Sequence, residues 1–253
     1  MLCLSGHDPT GGAGLQADIE TIAALGGHAL GVITAYTIQD TRNVRRVAAP
    51  PLAWFKQQLA TVLRDVPIAA IKIGLLAGAE QVPVIAAAIR KARVPVVLDP
   101  VLRAGGGRNL ADARLIAAIR RRLLPLADIA TPNVAELMRL MPGGGPVDRA
   151  AQRWLAAGAG SVLVTGGDSP GDFVANSWHR PGHAAQRQVW PRVPGEFHGA
   201  GCTLAAAIAI LLARGFSLAA AVTDAQAYAH EALRRGRRIG RGRAIPWRKG
   251  TAA

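Results

Sequence analysis

The sequence has only two cysteines, Cys3 and Cys202, among its 253 residues. Two thiols cannot build a disulfide framework or a four-cysteine zinc site, and this scarcity is typical of proteins that fold in a reducing compartment. No run of about 18 uninterrupted apolar residues occurs, so the sequence predicts no transmembrane helix. The first residues show neither the basic region nor the apolar core of a signal peptide, and we therefore expect a cytoplasmic protein without a membrane partner.

Acidic residues are also scarce, since 16 Asp and Glu stand against 30 Lys and Arg and give a formal net charge of +14. Aromatic residues make up only 4% of the chain, and none alternates with the basic residues of the cluster at 234–249 as in a base-stacking surface. We therefore interpret most arginines as a solvated surface and do not expect nucleic acid as a partner. The charge would still attract anionic small molecules.

Two familiar phosphate-binding fingerprints are missing as well. Residues 5–14, Ser-Gly-His-Asp-Pro-Thr-Gly-Gly-Ala-Gly, contain neither the Gly-Lys-Ser/Thr of a Walker A loop nor the Gly-x-Gly-x-x-Gly of a dinucleotide site. The glycines still permit a ligand to approach the backbone closely, and Asp18 follows one turn into the next predicted helix. On its own, this segment is weak evidence for a ligand site.

Short apolar runs alternate with amphipathic, helix-type runs along the chain, and we find neither a repeat nor a linker. Predicted strands lie at 2–5, 30–34, 70–73, 94–99, 128–130 and 161–165, and predicted helices lie at 14–25, 51–66, 80–91, 112–123, 134–141 and 149–157. Such alternation is typical of a parallel sheet covered by helices on both faces.

The remaining sequence differs in composition. Residues 166–196 are rich in Pro, Gly and His, with two possible antiparallel strands at 173–178 and 186–190, and two helices follow at 200–214 and 218–235. The sequence thus predicts a single three-layer α/β/α domain over residues 1–236, with a mostly parallel central sheet. We expect residues 237–253 to form a basic, loosely ordered tail.

A run of small residues precedes the first of these two helices. Residues 198–203 read His-Gly-Ala-Gly-Cys-Thr, and small residues at a helix start let backbone N–H groups converge where the helix dipole adds positive charge. This spacing fits an anion hole formed by Gly199, Ala200 and Gly201. At such a position we expect a lowered pKa for Cys202, so that the thiol could take or give a proton. A plain helix entry with a buried cysteine fits the local spacing equally well.

Oxygen-bearing side chains follow two of the predicted strands. Asp99 ends a buried strand, where ligands bind in open α/β sheets, and Asn133 and Glu136 fall on one side of a helix start. Hard oxygen ligands so placed suit Mg²⁺, which keeps several waters and meets one or two carboxylates plus phosphates. The alternative is structural, with Asn133 as a helix N-cap and Glu136 as its capping-box partner.

In their order and spacing, these segments resemble the hydroxymethylpyrimidine kinase/phosphomethylpyrimidine kinase family of thiamine biosynthesis, within the ribokinase-like superfamily. The similar segments lie at 5–18, 32–41, 72–76, 98–101, 131–136 and 198–204. They span nearly the whole chain, and the blocks around Gln39 and Cys202 are the most family-specific. The resemblance implies an ATP- and Mg²⁺-dependent kinase that acts on 4-amino-5-hydroxymethyl-2-methylpyrimidine and then on its monophosphate, in a protein that is commonly a homodimer.

The resemblance also implies a role for each matching position. Gln39 is expected to read the aminopyrimidine, because its amide offers one acceptor and two donors. The other residues expected to line the substrate pocket are Gly6, Ala13, Leu75 and Val101. Asp18 is expected near the transferred phosphate or its metal. Asp99 and Glu136, with Asn133, would organise Mg²⁺, through water, and the ATP phosphates.

The catalytic turn completes the implied site. Gly199, Ala200 and Gly201 would supply the anion hole, and Cys202 would occupy the place where sugar kinases of the superfamily carry an aspartate base. A thiol there could deprotonate an alcohol without placing a fixed carboxylate beside the incoming phosphate.

The sequence departs from the family pattern at three places. Thr-Gly-Gly-Asp at 165–168 stands where Lys-Gly-Gly-His is usual, so the expected phosphate-binding lysine is absent. Ala200 replaces a common threonine, and residues 103–108 replace a stretch in which a lysine and a serine are more usual. We hypothesise that Arg103 or Arg108 neutralises phosphate in place of the missing lysine, since the planar guanidinium suits phosphate oxygens.

Two other functions stay open at this point. One is a pyridoxal or related vitamin kinase of the same superfamily, which would not require Gln39 as an aminopyrimidine reader. The other is a non-catalytic, basic binding protein on a kinase-like scaffold, suggested by the net charge and the missing lysine. None of the six histidines has metal-ligand spacing, and His198 is expected to position the backbone. The tryptophans at 154, 178, 190 and 247 are expected to be packing residues.

Overall fold

A computed structural model describes residues 1–249 of the chain. Its strands are β1 (Leu2–His7), β2 (Leu30–Gln39), β3 (Val44–Ala48), β4 (Ile71–Ile73), β5 (Val96–Leu98), β6 (Ile129–Ala130), β7 (Val162–Val164), β8 (Phe173–His179) and β9 (Gln186–Pro191). They form one sheet in the order β3-β2-β1-β4-β5-β6-β7-β8-β9. The six strands from β2 to β7 in this order run parallel, while β3, β8 and β9 pair antiparallel. The predicted mostly parallel sheet is confirmed.

Helices cover both faces of this sheet. They are α1 (Gly14–Ala24), α2 (Leu52–Asp65), α3 (Gln81–Ala92), α4 (Ala113–Ala118), α5 (Val134–Leu140), α6 (Val147–Ala156), α7 (Ala200–Ala213) and α8 (Leu218–Arg234). A π-helical stretch, Ile119–Leu123, continues α4. Within residues 1–249, no helix has both the length and the apolar character that crossing a bilayer requires.

Alternate residues of β1, β5, β6 and β7 enter two separate hydrophobic cores. Leu2 and Leu4 of β1 pack in one core with α2 to α6, whereas Cys3 packs in the other with α1, α7 and α8. This alternation follows from the pleat of a strand, which points successive side chains to opposite faces. Two cores on the two faces give the three-layer α/β/α architecture that the sequence predicts.

The hairpin of β2 and β3 is the main difference from the expected elements. The apolar pattern predicts a strand at 30–34, but β2 continues to Gln39 and pairs with β3, which the pattern does not indicate. Arg45 and Arg46 occupy β3 and are exposed, so this edge strand lacks the apolar run of an inner strand. The hairpin extends beyond the end of the parallel sheet and carries Gln39 with it.

Residues 237–249 pack against the domain and do not form the loosely ordered tail that their composition suggests. Isolated bridges pair Arg237 with Ile245 and Phe197 with Ala244, and the side chain of Arg248 is 1% exposed. These contacts tie the segment to α8 and to the turn before α7, so its basic and glycine-rich composition does not produce disorder. Residues 250–253, the rest of the expected tail, lie outside the described residues.

Candidate active site

A large cavity of about 670 Å³ opens where the parallel strands end. The residues that follow the carboxyl ends of β1, β4, β5, β6 and β7 line it, and they are Asp8, Leu75, Asp99, Thr131 and Thr165. Because the carboxyl ends of parallel strands meet at one edge of a sheet, this is the edge where open α/β proteins bind ligands.

Most of the residues assigned to the site from the sequence line this one cavity. They are Gly6, Ala13, Gln39, Leu75, Asp99, Val101, Asn133, Glu136, Gly199, Ala200, Gly201 and Cys202. Gln39 comes from the end of β2, and Cys202 comes from the first turn of α7. The two most family-specific side chains are therefore brought to a common cleft, although 163 positions separate them in the sequence.

Asp18, which the resemblance places near the transferred phosphate or its metal, does not itself line the cavity. Its side chain is fully buried, with one carboxylate oxygen 2.8 Å from Lys72 Nζ and the other accepting a hydrogen bond from the Ser5 hydroxyl. Helix α1 turns this side chain toward the sheet, where the ammonium of Lys72 compensates its charge. Asp18 therefore does not border the cavity, but its charge acts on the cavity residues Asp99 and Cys202.

Lys72 connects Asp18 to the cavity. Its ammonium lies 3.8 Å from a carboxylate oxygen of Asp99, which lines the cavity, and its own side chain is fully buried. Burial alone would lower the pKa of Lys72, but the charge of Asp18 raises it above the usual value, so the lysine stays charged. A fixed positive charge thus lies directly beneath the cavity.

The turn before α7 has the geometry of an anion hole. Gly199 is the N-cap of α7 with a φ of 89°, and a Cβ there would overlap the carbonyl oxygen of Gly12. No side chain caps the helix, and its first turn contains no acidic residue. Backbone N–H groups at such a helix start are available to an anion, which the helix dipole also attracts.

The thiol of Cys202 has a raised pKa, and the expectation of a lowered one is wrong. Burial raises the pKa of the half-buried Cys202 to about 12, although the charge of Lys72 acts in the opposite direction. The negative charges of Asp99 and Asp18 add to the effect of burial, and together these outweigh Lys72. The thiol is consequently protonated at neutral pH.

Asn133 and Glu136 form the capping box of α5 and also line the cavity. The Asn133 side chain accepts a hydrogen bond from the Glu136 N–H at 2.8 Å, and the Glu136 carboxylate accepts one from the Asn133 N–H at 3.1 Å. The structural alternative weighed for these two residues is therefore present. Because both residues border the cavity, the capping role does not remove them from the site.

The two carboxylates at this end of the cavity repel each other. Burial and the charge of Asp99 raise the pKa of Glu136 to about 8, and burial raises that of Asp99. One oxygen of Asp99, Oδ2, is buried and has no hydrogen bond, although Lys72 Nζ lies 3.8 Å away. A pair of buried carboxylates with an unsatisfied oxygen fits a divalent cation, which would compensate both charges.

Of the two arginines proposed to replace the family lysine, only Arg103 lines the cavity. The guanidinium of Arg108 donates to the carbonyl oxygen of Arg45 on β3, which directs it toward the hairpin. Arg103 Nε donates to the Gly107 carbonyl oxygen at 2.7 Å, within its own loop. The hypothesis of a substitute cation therefore stands for Arg103 and not for Arg108.

Aromatic and amide side chains that we did not select from the sequence form another part of the cavity wall. The rings of Trp190 on β9 and His230 on α8 have centroids 5.0 Å apart. Gln226 accepts a hydrogen bond from the Asn176 amide at 2.9 Å, and both residues line the cavity. Trp190 is therefore more than the packing residue that we expected. The sequence around Trp190 does not indicate a place in the cavity wall, because this part of the wall forms only when β9 and α8 meet.

His198 joins the two glycine-containing turns of the site. Its Nε2 lies 2.8 Å from Asp8 Oδ2, and Asp8 also accepts hydrogen bonds from the backbone N–H groups of Thr10 and Ala13. Burial alone would raise the pKa of Asp8, but the hydrogen bonds from His198 and Thr10 bring it below its usual value. This contact agrees with the positioning role expected for His198.

The sequence is similar to that of known kinases. The phosphomethylpyrimidine kinase family model matches residues 8–247. The hydroxymethylpyrimidine/phosphomethylpyrimidine kinase of Synechococcus elongatus is 38% identical over 246 residues, covering 95% of this chain and 94% of that protein. The thiamine biosynthesis bifunctional protein ThiED of Geobacter sulfurreducens is 40% identical over 250 residues, which are 96% of this chain but only 50% of that longer protein.

Solved structures share the fold. The pyridoxal kinase from Staphylococcus aureus in complex with AMP-PCP is 28% identical, with a TM-score of 0.90 and coverage of 99% of this chain and 94% of that one. The phosphomethylpyrimidine kinase from Clostridium difficile is 31% identical, with a TM-score of 0.78 and coverage of 92% and 98%. The ribokinase-like fold is thereby confirmed, and the chain belongs to the phosphomethylpyrimidine kinase family.

Proposed function

We propose that this kinase transfers a phosphoryl group from ATP to the hydroxymethyl group of 4-amino-5-hydroxymethyl-2-methylpyrimidine, and a second one to the resulting monophosphate. The observation that carries the proposal is that Gln39 and the anion-hole turn before α7 line one cavity. The relatives named for both pyrimidine reactions support this substrate. The neighbour that binds AMP-PCP supports ATP as the donor.

The pyrimidine would bind near the β2–β3 hairpin. The Gln39 amide can pair with a ring nitrogen and the adjacent exocyclic amine, while Leu75 and Val101 provide apolar walls. Gly6 leaves room beside them, because a Cβ at this position would lie 3.1 Å from the Leu75 side chain. The ring is thus held by one polar contact and by apolar surfaces.

The migrating phosphoryl group would meet the backbone N–H groups of Gly199, Ala200 and Gly201. Their fixed orientation stabilises the charge on its oxygens without reorganisation during the reaction. Cys202 would contact the attacking hydroxyl as a neutral thiol, which orients it. A loose transition state requires little help from a base, so a raised thiol pKa is compatible with the reaction.

Asp99 and Glu136, together with Asn133, would hold Mg²⁺ through water and organise the ATP phosphates. The ion would neutralise charge on the β- and γ-phosphates when it is bound with ATP. The Asp99 oxygen that lacks a hydrogen bond and the raised pKa of Glu136 support this assignment.

The direct test compares ATP consumption with the free pyrimidine, its monophosphate and pyridoxal under the same conditions. We expect turnover with the first two to exceed turnover with pyridoxal. Pyridoxal kinase is the second candidate because solved pyridoxal kinases share the fold so closely. A clear preference for pyridoxal would replace our proposal with that function.

Gln39→Leu tests how the ring is read. Leaving one polar edge of the pyrimidine unpaired should weaken its binding by about 1–3 kcal/mol, measured as kcat/KM. Pyridoxal serves as the internal control, since a pyridine alcohol does not need this amide. Equal losses for both substrates would show that Gln39 shapes the pocket and does not recognise the aminopyrimidine.

A further inference from the structure

Two backbone turns meet at the phosphate end of the cavity, namely the glycine-rich turn (residues 8–14) and the catalytic turn (residues 198–203). A Cβ on Gly199 would overlap the carbonyl oxygen of Gly12, and a Cβ on Gly12 would lie 2.5 Å from the His198 ring. The turns therefore approach each other closely at Gly12 and Gly199, and a side chain at either glycine would clash. Their relative position determines where the anion-hole amides lie.

The guanidinium of Arg248 lies at this contact. Its Nε donates to the Thr203 hydroxyl at 2.8 Å, while Nη1 and Nη2 donate to the carbonyl oxygens of Gly11 and Gly12. The side chain is fully buried, and a carboxylate oxygen of Glu20 lies 3.2 Å from Nη1 and compensates the charge. One side chain thus binds both turns at once.

The contact reaches the N-cap of α7 through a second hydrogen bond. The Thr203 hydroxyl, which accepts from Arg248, donates to the Gly199 carbonyl oxygen at 2.8 Å. Arg248 therefore acts on the residue that begins the anion hole, without lining the cavity itself. A lysine could not reproduce this arrangement, because its ammonium is a compact point charge and lacks the planar fork.

The backbone around Arg248 is fixed independently of its side chain. The Tyr228 hydroxyl donates to the Arg248 carbonyl oxygen at 2.7 Å, and the Trp247 N–H donates to the Ala232 carbonyl oxygen at 2.8 Å. Both partners belong to α8. Burying an arginine is costly, and apolar residues would stabilise a chain end at least as well. Its position between two ligand-binding turns therefore points to a role in aligning them.

We propose that Arg248 is a positioning residue for phosphoryl transfer, which holds the anion hole in register with the glycine-rich turn. The inference rests on the proposed function, because it takes the amides before α7 to bind the migrating phosphoryl group. It makes the C-terminal segment (residues 237–249) part of the active site, although the sequence suggests only a basic tail.

The kinetic test uses Arg248→Met, which keeps much of the side-chain length and removes the hydrogen bonds. We expect kcat to fall about 100-fold, the loss typical of a small misplacement of reacting groups. The KM for the pyrimidine should change little, since Gln39 lies elsewhere in the cavity. Guanidinium ion added to Arg248→Ala should restore part of kcat, whereas Arg248→Lys should stay impaired.

The matched control is Arg238→Ala, because Arg238 is an exposed arginine of the same segment. This variant should keep wild-type kcat.

A second readout does not depend on any substrate. The chain has two cysteines, and Cys3 is fully buried, so a thiol reagent such as 5,5′-dithiobis(2-nitrobenzoic acid) reports on Cys202 in the folded protein. Releasing the catalytic turn in Arg248→Met should speed modification of Cys202 about ten-fold, through local opening, while Cys3 stays protected. Arg238→Ala should react at the wild-type rate.

Two outcomes would overturn the inference. One is an unchanged kcat together with an unchanged Cys202 rate in Arg248→Met. The other is simultaneous exposure of both cysteines with an early thermal transition, which would show that Arg248 stabilises the whole fold. If the wild-type protein itself consumes no ATP with any of the three substrates, the proposed function fails. The thiol rates of the variants would still decide whether Arg248 aligns the turns.

Discussion

The ammonium of Lys72 lies between two buried carboxylates that come from separate elements. Asp18 belongs to the first turns of α1, and Asp99 follows β5, yet both lie within 4 Å of the same nitrogen. Asp18 is also hydrogen-bonded to Ser5, so the group is a small buried network with one positive charge. Such a network depends on each member, because removing one leaves an uncompensated charge in the core.

Lys72→Met should therefore destabilise the protein strongly. We expect the free energy of unfolding to fall by about 3–5 kcal/mol, because the Asp18 carboxylate loses its partner inside the core. Urea denaturation at pH 7 measures this change. The double variant with Asp18→Asn should recover part of the loss, since the pair is then neutral. A loss below about 1 kcal/mol, as for a surface ion pair, would contradict this reading of the network.

Cys202 gives a prediction about pH. Only the thiolate reacts with iodoacetamide, and burial raises the pKa of this thiol to about 12. The thiolate fraction, and with it the rate, should rise about tenfold per pH unit from pH 7 to 10, without a plateau. Free cysteine, whose pKa is about 8.5, should level off within this range and serves as the control. A plateau for Cys202 below pH 9 would show that Lys72 and the helix dipole outweigh burial.

Individual site residues could be predicted from the sequence where the residue type belongs to a motif. Gln39 and Cys202 were found in this way, and the structure brings them to one cavity. The burial of Asp18 was not foreseen, because nothing in its segment shows that Lys72, on a strand 54 positions away, neutralises it. The prediction of a lowered pKa for Cys202 was wrong for the same reason. The burial that raises this pKa arises only when the site is assembled.

The contact between the catalytic turn and the glycine-rich turn fixes how α7 is placed relative to β1. Gly199 has a left-handed backbone conformation, and its neighbour across the contact is a backbone atom that cannot rotate away as a side chain would. The start of α7 is therefore constrained both by its own dihedral angles and by the turn that follows β1.

Gly199→Ala should remove activity by displacing this turn. A left-handed conformation costs a non-glycine residue about 1–2 kcal/mol. The new Cβ would also overlap the Gly12 carbonyl oxygen, so the backbone of the turn must move. We expect kcat to fall by about 100-fold or more. Gly26→Ala is the matched control, because Gly26 has a φ of 77° but no atom within 4 Å of a Cβ. If both variants lost activity equally, backbone strain alone would be responsible.

Helices and strands with a strong hydrophobic period were predictable from the sequence. Segments that are held in place by distant partners were not. The alternation of apolar strands and amphipathic helices gave the parallel sheet, because each run carries its own signal. Strand β3 contains exposed arginines and becomes a strand only by pairing with β2. The segment 237–249 likewise has no periodic pattern, and its structure depends on bonds to α8 and to the catalytic turn.

On the surface of the molecule as a whole, three exposed apolar side chains belong to β2 and α2, near the β3 edge of the sheet. Tyr36 and Ile38 on β2 are 47% and 60% exposed, and Trp54 on α2 is 70% exposed. Exposed apolar side chains can be covered by another protein, and a self-complementary patch gives a two-fold dimer. We therefore predict that the protein is a homodimer and that this surface is its interface.

Light scattering coupled to size-exclusion chromatography measures the mass in solution, and we expect twice the chain mass. Ile38→Glu should shift the protein to the monomer, because a charge would be buried at the interface. Phe173→Glu is the control, since Phe173 is 62% exposed but lies on β8, toward the opposite edge of the sheet. A monomeric wild type would contradict the prediction, as would dissociation by Phe173→Glu alone.

The path of the chain through the site also has a consequence for synthesis on the ribosome. The glycine-rich turn leaves the exit tunnel early, whereas its bonding partner Arg248 lies 237 positions after Gly11 and emerges much later. A nascent polypeptide would hold nearly every strand of the sheet before the guanidinium arrives to align the anion hole. Catalytic competence would then begin only once Arg248 has emerged, and shorter nascent chains would not hydrolyse or transfer nucleotide phosphate wastefully.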